Sequence, residues 1–260
     1  MHDQPRMPLV RGGRPLKRWR YVGVFAPEAM ACFGTVRIAG LPQAFWAVWD
    51  RGARRLHEQT RFWPGGVRLP AGAVRVAGVA DLLLEPAGEP VEVWSTHGAQ
   101  RIWTRKQPVL ARGRLRAGGR TIELFGAPAL IDDSAGHHAR HTAWEWSAGA
   151  GTTGDGRPVW WNLVTGVHDA PRHSERAVWL DGTPREVGPV RFRDGLDGVA
   201  FGEDGAELSF AAEAERARRD DLKLLVSEYR QPFGTFSGTL PGGLKLASGL
   251  GVMERHDARW

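Results

Sequence analysis

Between Asp132 and Asp169 the chain gathers the residue types from which proton-transfer chemistry is made. The segment reads DDSAGHHARHTAWEWSAGAGTTGDGRPVWWNLVTGVHD. It carries His137, His138, His141 and His168, with His173 just beyond, and Trp144, Trp146, Trp160 and Trp161 of the chain's 12 tryptophans. Imidazole titrates near neutrality, so His168 followed by Asp169 has the make-up of a general base beside a carboxylate. The same pair also reads as a polar strand end. His137-His138-x-x-His141 has imidazoles for a metal, but no acidic or cysteine ligand stands at a set spacing to complete a site. A turn led by Asp132, Asp133 and Ser134, whose side chains satisfy local backbone groups, accounts for the cluster without metal.

Nucleophilic catalysis finds no support. The chain has no Gly-x-Ser-x-Gly elbow, and its lone Cys32 lies in an apolar run with no histidine beside it. GAGTTGDG (149–156) is glycine-rich, but it joins two strand-like runs rather than opening a helix, so a hairpin loop is expected there and not a phosphate cradle.

Alternation divides the histidine and tryptophan segment into faces, because successive strand residues point opposite ways. Thr142, Trp144 and Trp146 share one face, opposite His141, Glu145 and Ser147. Further on, Trp160, Asn162, Val164, Gly166 and His168 lie together, opposite Val159, Trp161, Leu163, Thr165 and Val167. The second of these two faces is apolar or β-branched and reads as core. The first mixes an indole, an amide and an imidazole, which suits a ligand cavity. If the two strands pair, Trp144, Trp146, Trp160 and Asn162 form a ligand wall with His168 on it.

The elements that must hold this wall are strands. RYVGVFA (20–26), MACFGTVRIA (30–39), QAFWAVWDR (43–51) and VEVWSTH (91–97) open a series of short aromatic and β-branched runs separated by Gly and Pro turns. TAWEWSAGA (142–150), PVWWNLVTGVH (158–168), LKLLVSEY (222–229) and LKLASGLGVMER (244–255) continue it. Helical periodicity is almost absent; Ala211–Arg219 is the one helix candidate, and it reads equally as a loop. The two halves finish alike, with Gly113-Arg-Leu115 running through Gly118-Gly119 and Gly238-Thr-Leu240 through Gly242-Gly243. The expected organisation is a flexible basic arm (1–18), a first antiparallel barrel (19–131) and a second (132–260).

The 260 residues are enough for a substantial core, and no run approaches a membrane span. A net charge of +6 invites a nucleic-acid reading, but only Lys17, Lys106, Lys223 and Lys245 are lysines and the arginines are dispersed rather than striped along one face. No nucleic-acid partner is expected. A single cysteine and an N-terminus without an apolar signal core fit a reducing cytoplasm.

Several motifs carry a family resemblance. Asp132-x-Ser134-x-Gly136-His137, Thr142-x-Trp144-x-Trp146, Gly156-x-x-Val159, Asn162-Leu163-x-x-Gly166 and Trp179-x-Asp181-Gly182 resemble the DUF2804 family. So does the ending, Gln231-x-Phe233-Gly234-x-Phe236-x-Gly238 with Gly251-x-x-Glu254 and Ala258-Arg259-Trp260. More remotely the pattern is similar to the AttH and carotenoid 1,2-hydratase group. That resemblance implies an all-β fold of two tandem lipocalin-like barrels, and lyase, hydratase or cyclase chemistry on apolar molecules without a cofactor. It brings His141 forward as a second acid beside Trp144, with Asn162 or Asp169 as the later polar partner. The function expected is binding of a lipid, terpenoid or polyketide-like molecule in a cavity of a barrel or between the barrels, with acid–base chemistry from His168 or His141. A non-catalytic carrier, or a scaffold whose core is filled by its own tryptophans, is the alternative.

Overall fold

The computed structural model describes residues 4–63, 65–97, 100–202, 204–221 and 226–259. The first four residues of the expected strand 222–229, and Trp260, lie outside these. The first half holds β1 (Val10–Arg11), β2 (Arg14–Pro15), β3 (Lys17–Phe25), β4 (Ala29–Ile38), β5 (Leu41–Asp50) and β6 (Arg55–Arg61). It continues with β7 (Val67–Arg68), β8 (Ala73–Val76), β9 (Ala80–Pro86), β10 (Val91–His97), β11 (Gln100–Ala117) and β12 (Arg120–Gly136). The second half holds β13 (His141–Thr153), β14 (Pro158–Thr165), β15 (Ala177–Leu180), β16 (Thr183–Glu186) and β17 (Val190–Phe192). It ends with β18 (Gly198–Phe201), β19 (Glu207–Asp221), β20 (Val226–Leu240) and β21 (Leu244–Arg259). Among the described residues no helix is long and apolar enough to cross a membrane.

Besides the β1-β2 hairpin, two large antiparallel sheets result, and they repeat each other strand for strand. The first runs β6-β5-β4-β3-β12-β11-β9-β8-β7, with β10 added beside β11. The second runs β16-β15-β14-β13-β21-β20-β19-β18-β17. In both, the opening long strand pairs with the closing one, so β3 meets β12 as β13 meets β21. Glycine marks the same place twice. Gly113 (φ 128°) and Gly238 (φ 119°) each lie so close to the neighbouring strand that a Cβ would come within 2.2 Å of the Asp81 and Glu207 carbonyls respectively. Only a residue without Cβ fits there at that φ.

Each sheet curls round its own core. Val22, Val24, Phe33, Val48, Leu82 and Leu115 fill the first barrel. Val159, Trp161, Leu163, Phe210, Phe236 and Met253 fill the second, where the sequence placed its apolar face. A third core lies between the barrels and is built from the alternate residues of the same strands. It brings Tyr21, Phe25, Met30, Cys32 and Leu130 from the first barrel against Trp146, Trp160, Val164, Trp179 and Phe233 from the second. Strands buried on both faces lose the polar half of their alternation, and β4 and β14 read as nearly continuous apolar runs for that reason. Polar clasps hold the seam: Arg51 pairs with Glu213 at 2.7 Å, Trp49 Nε1 donates to the same carboxylate at 2.9 Å, and Trp179 Nε1 donates to the Glu89 carbonyl at 2.7 Å.

One local reading changes. Ala211–Arg219, the helix candidate, is part of β19 and pairs residue by residue with β20. Its Ala and Glu content favours helix, but the sheet edge offers a full ladder of hydrogen bonds and overrides that preference. Residues 4–18 lie against the first barrel: Gln4 Nε2 donates to the Trp19 carbonyl at 2.7 Å, and His137 Nε2 sits 2.9 Å from the Pro8 carbonyl.

Candidate functional site

A cavity of about 210 Å³ opens between the barrels, along the seam where the third core stops short. The first barrel contributes a transverse row from adjacent strands: Lys106 on β11 stands opposite Asp132 on β12, Asp132 opposite Tyr21 on β3, Tyr21 opposite Gly34 on β4, and Gly34 opposite Phe45 on β5. Residues in one such row share a face and stack side by side. Gly34 leaves room for the Phe45 ring, which a Cβ there would meet at 2.1 Å. The second barrel answers with two rows, Val164–Trp146–Glu254 and Trp144–His256–Tyr229. Both of the chain's 2 tyrosines line the cavity.

The walls are aromatic and the polar groups are few and held. Trp144 Nε1 donates to one oxygen of Glu254 at 2.8 Å, and Gln231 Nε2 donates to the other at 3.0 Å. Burial pushes the Glu254 carboxyl up to about 7, against the hydrogen bonds from Trp144 and Tyr229 that favour its charged form. Burial likewise takes His256 down to about 4, with the Lys17 charge adding to the effect. His256 packs edge-on against Trp144 with ring centroids 4.3 Å apart and holds Ser227 Oγ at 2.8 Å. Lys17, also in the wall, is brought down to about 8 by burial.

The other end of the cavity is a buried ion cluster shared by the two barrels. Lys106 Nζ lies 2.6 Å from Asp132 and 3.2 Å from Glu175. Burial opposes the ammonium charge, but the two carboxylates outweigh it and raise Lys106 above its ordinary range. Burial lifts Asp132, against the pull of Lys106, and the Glu175 charge adds to the rise. Arg216 closes the side, with its guanidinium over the rings of Phe45 and Tyr229 at 4.3 and 5.0 Å and anchored on Glu58 and Thr60. A second hollow of about 250 Å³ opens by Trp46, Arg61 and Gly65 in the first barrel, and no carboxyl or imidazole lines it.

The residues singled out from sequence divide into three groups. Trp144, Trp146 and His168 line the cavity, and β13 does pair with β14. His168 is buried, its Nδ1 2.5 Å from Ser95 Oγ of the first barrel. Trp160 and Asn162 share the inter-barrel side but not the cavity wall. Trp160 packs into the third core, while Asn162 accepts the Trp146 indole N–H at 2.8 Å and donates to the Glu175 carbonyl at 2.9 Å. Asn162 thus orients one wall residue from behind. His141 and Asp169 lie outside the cavity. His141 is 53% exposed and holds Asp257 at 3.1 Å, because its strand position puts it on the opposite face from Trp144. Asp169 accepts the Gly166 backbone N–H at 2.7 Å and closes the turn that carries His168, rather than contacting the imidazole. Sequence reasoning assigned no site role to Glu254, Tyr21, Tyr229, Lys106 or Glu175, and it gave Asp132 to a turn where the structure continues strand β12. Lys106 gave a signal, a lysine inside the strand IWTRKQPVL, and so did Glu254, an acid directly after the apolar pair Val252-Met253.

The geometry defines a two-barrel, lipocalin-like all-β protein with a polar-floored aromatic cavity on its seam. The chain belongs to the family described as Domain of unknown function (DUF2804), whose model matches residues 90–260. No curated protein matches it. Among solved structures it is similar to an AttH candidate from Nitrosomonas europaea, with TM-score 0.63 and 14% identity over 98% of this chain and 97% of that one. It is also similar to kievitone hydratase from Nectria haematococca, with TM-score 0.57 and 9% identity over 94% and 88% of the two chains. CghA follows at TM-score 0.50 and 10% identity, with the same coverage. At these identities the likeness is one of fold.

Proposed function

We propose that the protein binds a largely apolar small molecule in the cavity between its barrels and transfers a proton to it from Glu254. The observation that carries this reading is the Glu254 carboxyl itself. It is buried among aromatic rings and aimed by Trp144 and Gln231 from both sides. A carboxyl in such surroundings keeps its proton to neutral pH, as a general acid must. In the step we assign to it, the Glu254 O–H bond breaks and its proton forms a bond to an alkene carbon of the ligand. The carbocation left on the neighbouring carbon lies against the indole of Trp144, whose π-face stabilises positive charge. Water then adds and returns a proton to Glu254, giving net hydration; loss of a ligand proton to Glu254 instead gives isomerisation. Neither outcome consumes a cofactor.

The proton donor thereby moves from His168 to Glu254, and His168 becomes a polar wall residue at the Ser95 side. The solved hydratase of the same fold supports the chemical class. Of the two placements expected, a cavity of one barrel or one between the barrels, the ligand takes the second.

Titration with the fluorescent apolar probe N-phenyl-1-naphthylamine tests the cavity, and native mass spectrometry of freshly purified protein tests for its natural occupant. A saturable one-to-one probe site, displaced by the co-purifying molecule, is expected. Glu254→Gln should bind within a few-fold of wild type while losing conversion of that molecule. Conversion that survives Glu254→Gln removes the proton-transfer assignment.

A further inference from the structure

Tyr21 lines the cavity, and among the described residues no group hydrogen-bonds to its buried hydroxyl. The side chain is only 6% exposed. A buried phenol without a partner is a standing cost to a fold, and such groups call for a reason. The obvious partners are taken. Asp132, directly opposite Tyr21 in register, is held by Lys106 at 2.6 Å and approached by Trp19 Nε1 at 3.4 Å. Glu254 receives Trp144 and Gln231. The Tyr21 ring cannot swing away to seek another, being wedged edge-on against Trp146 with centroids 5.4 Å apart and beside Phe45 at 6.5 Å. The fold therefore fixes an unspent O–H beside an aromatic cavity.

We propose that Tyr21 donates this hydrogen bond to a neutral acceptor oxygen of the bound molecule, so that the cavity's ligands are flat apolar ketones or enones. The inference rests on the reading of the cavity as a ligand site and adds the ligand's chemical class. Burial and the surrounding acidic groups hold the phenol in its protonated form, which makes it a donor. The charges of Lys106, Asp132 and Glu175 beside Tyr21 are spent on one another, so the phenol is left for a neutral acceptor. Trp144, Trp146 and Phe45 line the cavity, and aromatic rings favour flat unsaturated partners.

The test uses three probes of one shape and reads tryptophan quenching in the full chain: 2-acetylnaphthalene, 2-ethylnaphthalene and 2-naphthoate. The ketone is expected to bind about tenfold more tightly than the hydrocarbon, the worth of one good neutral hydrogen bond in a dry site. In Tyr21→Phe that preference collapses to about twofold or less while the hydrocarbon's affinity holds. The carbonyl stretch of the ketone bound to wild-type protein should also fall relative to its value in hexane, a readout that does not depend on the variant. Equal binding of ketone and hydrocarbon by wild type, an unshifted stretch, a preference that survives Tyr21→Phe, or tighter binding of the naphthoate would each overturn the assignment. Failure of all three probes to bind would instead bring down the cavity reading itself, and this inference with it.

Discussion

Tyr21 and Asp132 stand directly opposite each other on adjacent strands, yet they do not hydrogen-bond, because Lys106 holds the carboxylate at 2.6 Å from the next strand over. The lysine is 2% exposed and also meets Glu175 of the other barrel. Lys106→Met should therefore leave two buried carboxylates without a counter-charge and cost about 3–5 kcal/mol. Adding Asp132→Asn should recover part of that loss, since one of the stranded charges disappears. Urea unfolding of the two variants checks this; a single mutant within about 1 kcal/mol of wild type would show that the cluster is not what holds the seam.

Glu254 and His256 share a strand and have opposite linkage to pH. The Glu254 pKa rises on folding from 4.5 to about 7, so its contribution is full below 4.5 and is lost as pH climbs through about 7. The His256 pKa falls from 6.5 to about 4, so its contribution is full above 6.5 and is lost as pH drops through about 4. Between 4.5 and 6.5 the two slopes oppose each other. Relative to wild type, Glu254→Gln should grow more stable as pH rises, by up to about 3 kcal/mol across its window. His256→Gln should show the reverse trend, gaining relative stability as pH falls. Thermal melts at half-unit steps of pH report both differences, and parallel profiles for all three proteins would contradict the burial of these groups. If Glu254 is the proton donor, turnover should also decline as pH rises through about 7.

Gly34 is the floor on which Phe45 rests. A methyl group at Gly34 would stand 2.1 Å from the Phe45 ring, so Gly34→Ala must push that ring off its seat. The cost expected is about 1–3 kcal/mol of stability, as for other overpacked positions. A several-fold loss of apolar-probe affinity should accompany it, because Phe45 lines the cavity. Unchanged affinity would place the ring's displacement away from the ligand.

Two histidines from the same stretch should behave differently. His141 lies on the surface with Asp257, so His141→Ala should stay within about 0.5 kcal/mol of wild type and leave probe binding untouched. His168 is buried with φ 54°, in the left-handed region. His168→Ala keeps that backbone strain and loses the contact to Ser95. His168→Gly should be the more stable of the two by about 1 kcal/mol, since glycine adopts this conformation freely. The opposite order, measured by chemical denaturation, would mean that the turn at 166–169 has another shape.

Much of the fold was readable because its signals are local. Strand alternation sorted β14 correctly, with Val159, Trp161 and Leu163 pointing into the second barrel and Trp160, Asn162 and Val164 sharing the other side. It fails past the strand's end at Thr165, where Val167, expected opposite His168, lines the cavity beside it. The matching glycines at 113 and 238 marked a repeat that the strand orders bear out. The site was only half legible, for a geometric reason. Alternation tells which residues share a face, not where along that face a cavity falls, so Trp160 and Asn162 could not be separated from His168. The remaining site residues come from the outward faces of both barrels, which a single barrel would turn to solvent. Nothing in RYVGVFA says that Tyr21 will be covered by Trp146, and nothing in GVMER says that Glu254 will be dry. Those facts arise only when the barrels meet.

That meeting also governs how the chain could be divided. Each barrel has one face finished by its own core and one face finished only by the other barrel, where Met30, Cys32, Trp160 and Trp179 are fully or almost fully covered. A cut between Gly136 and His141 would separate the sheets without breaking a strand. The pieces would each carry a broad sticky apolar flank and half of the ion cluster. Such fragments seek each other in solution, and the cavity would exist only in the reunited pair.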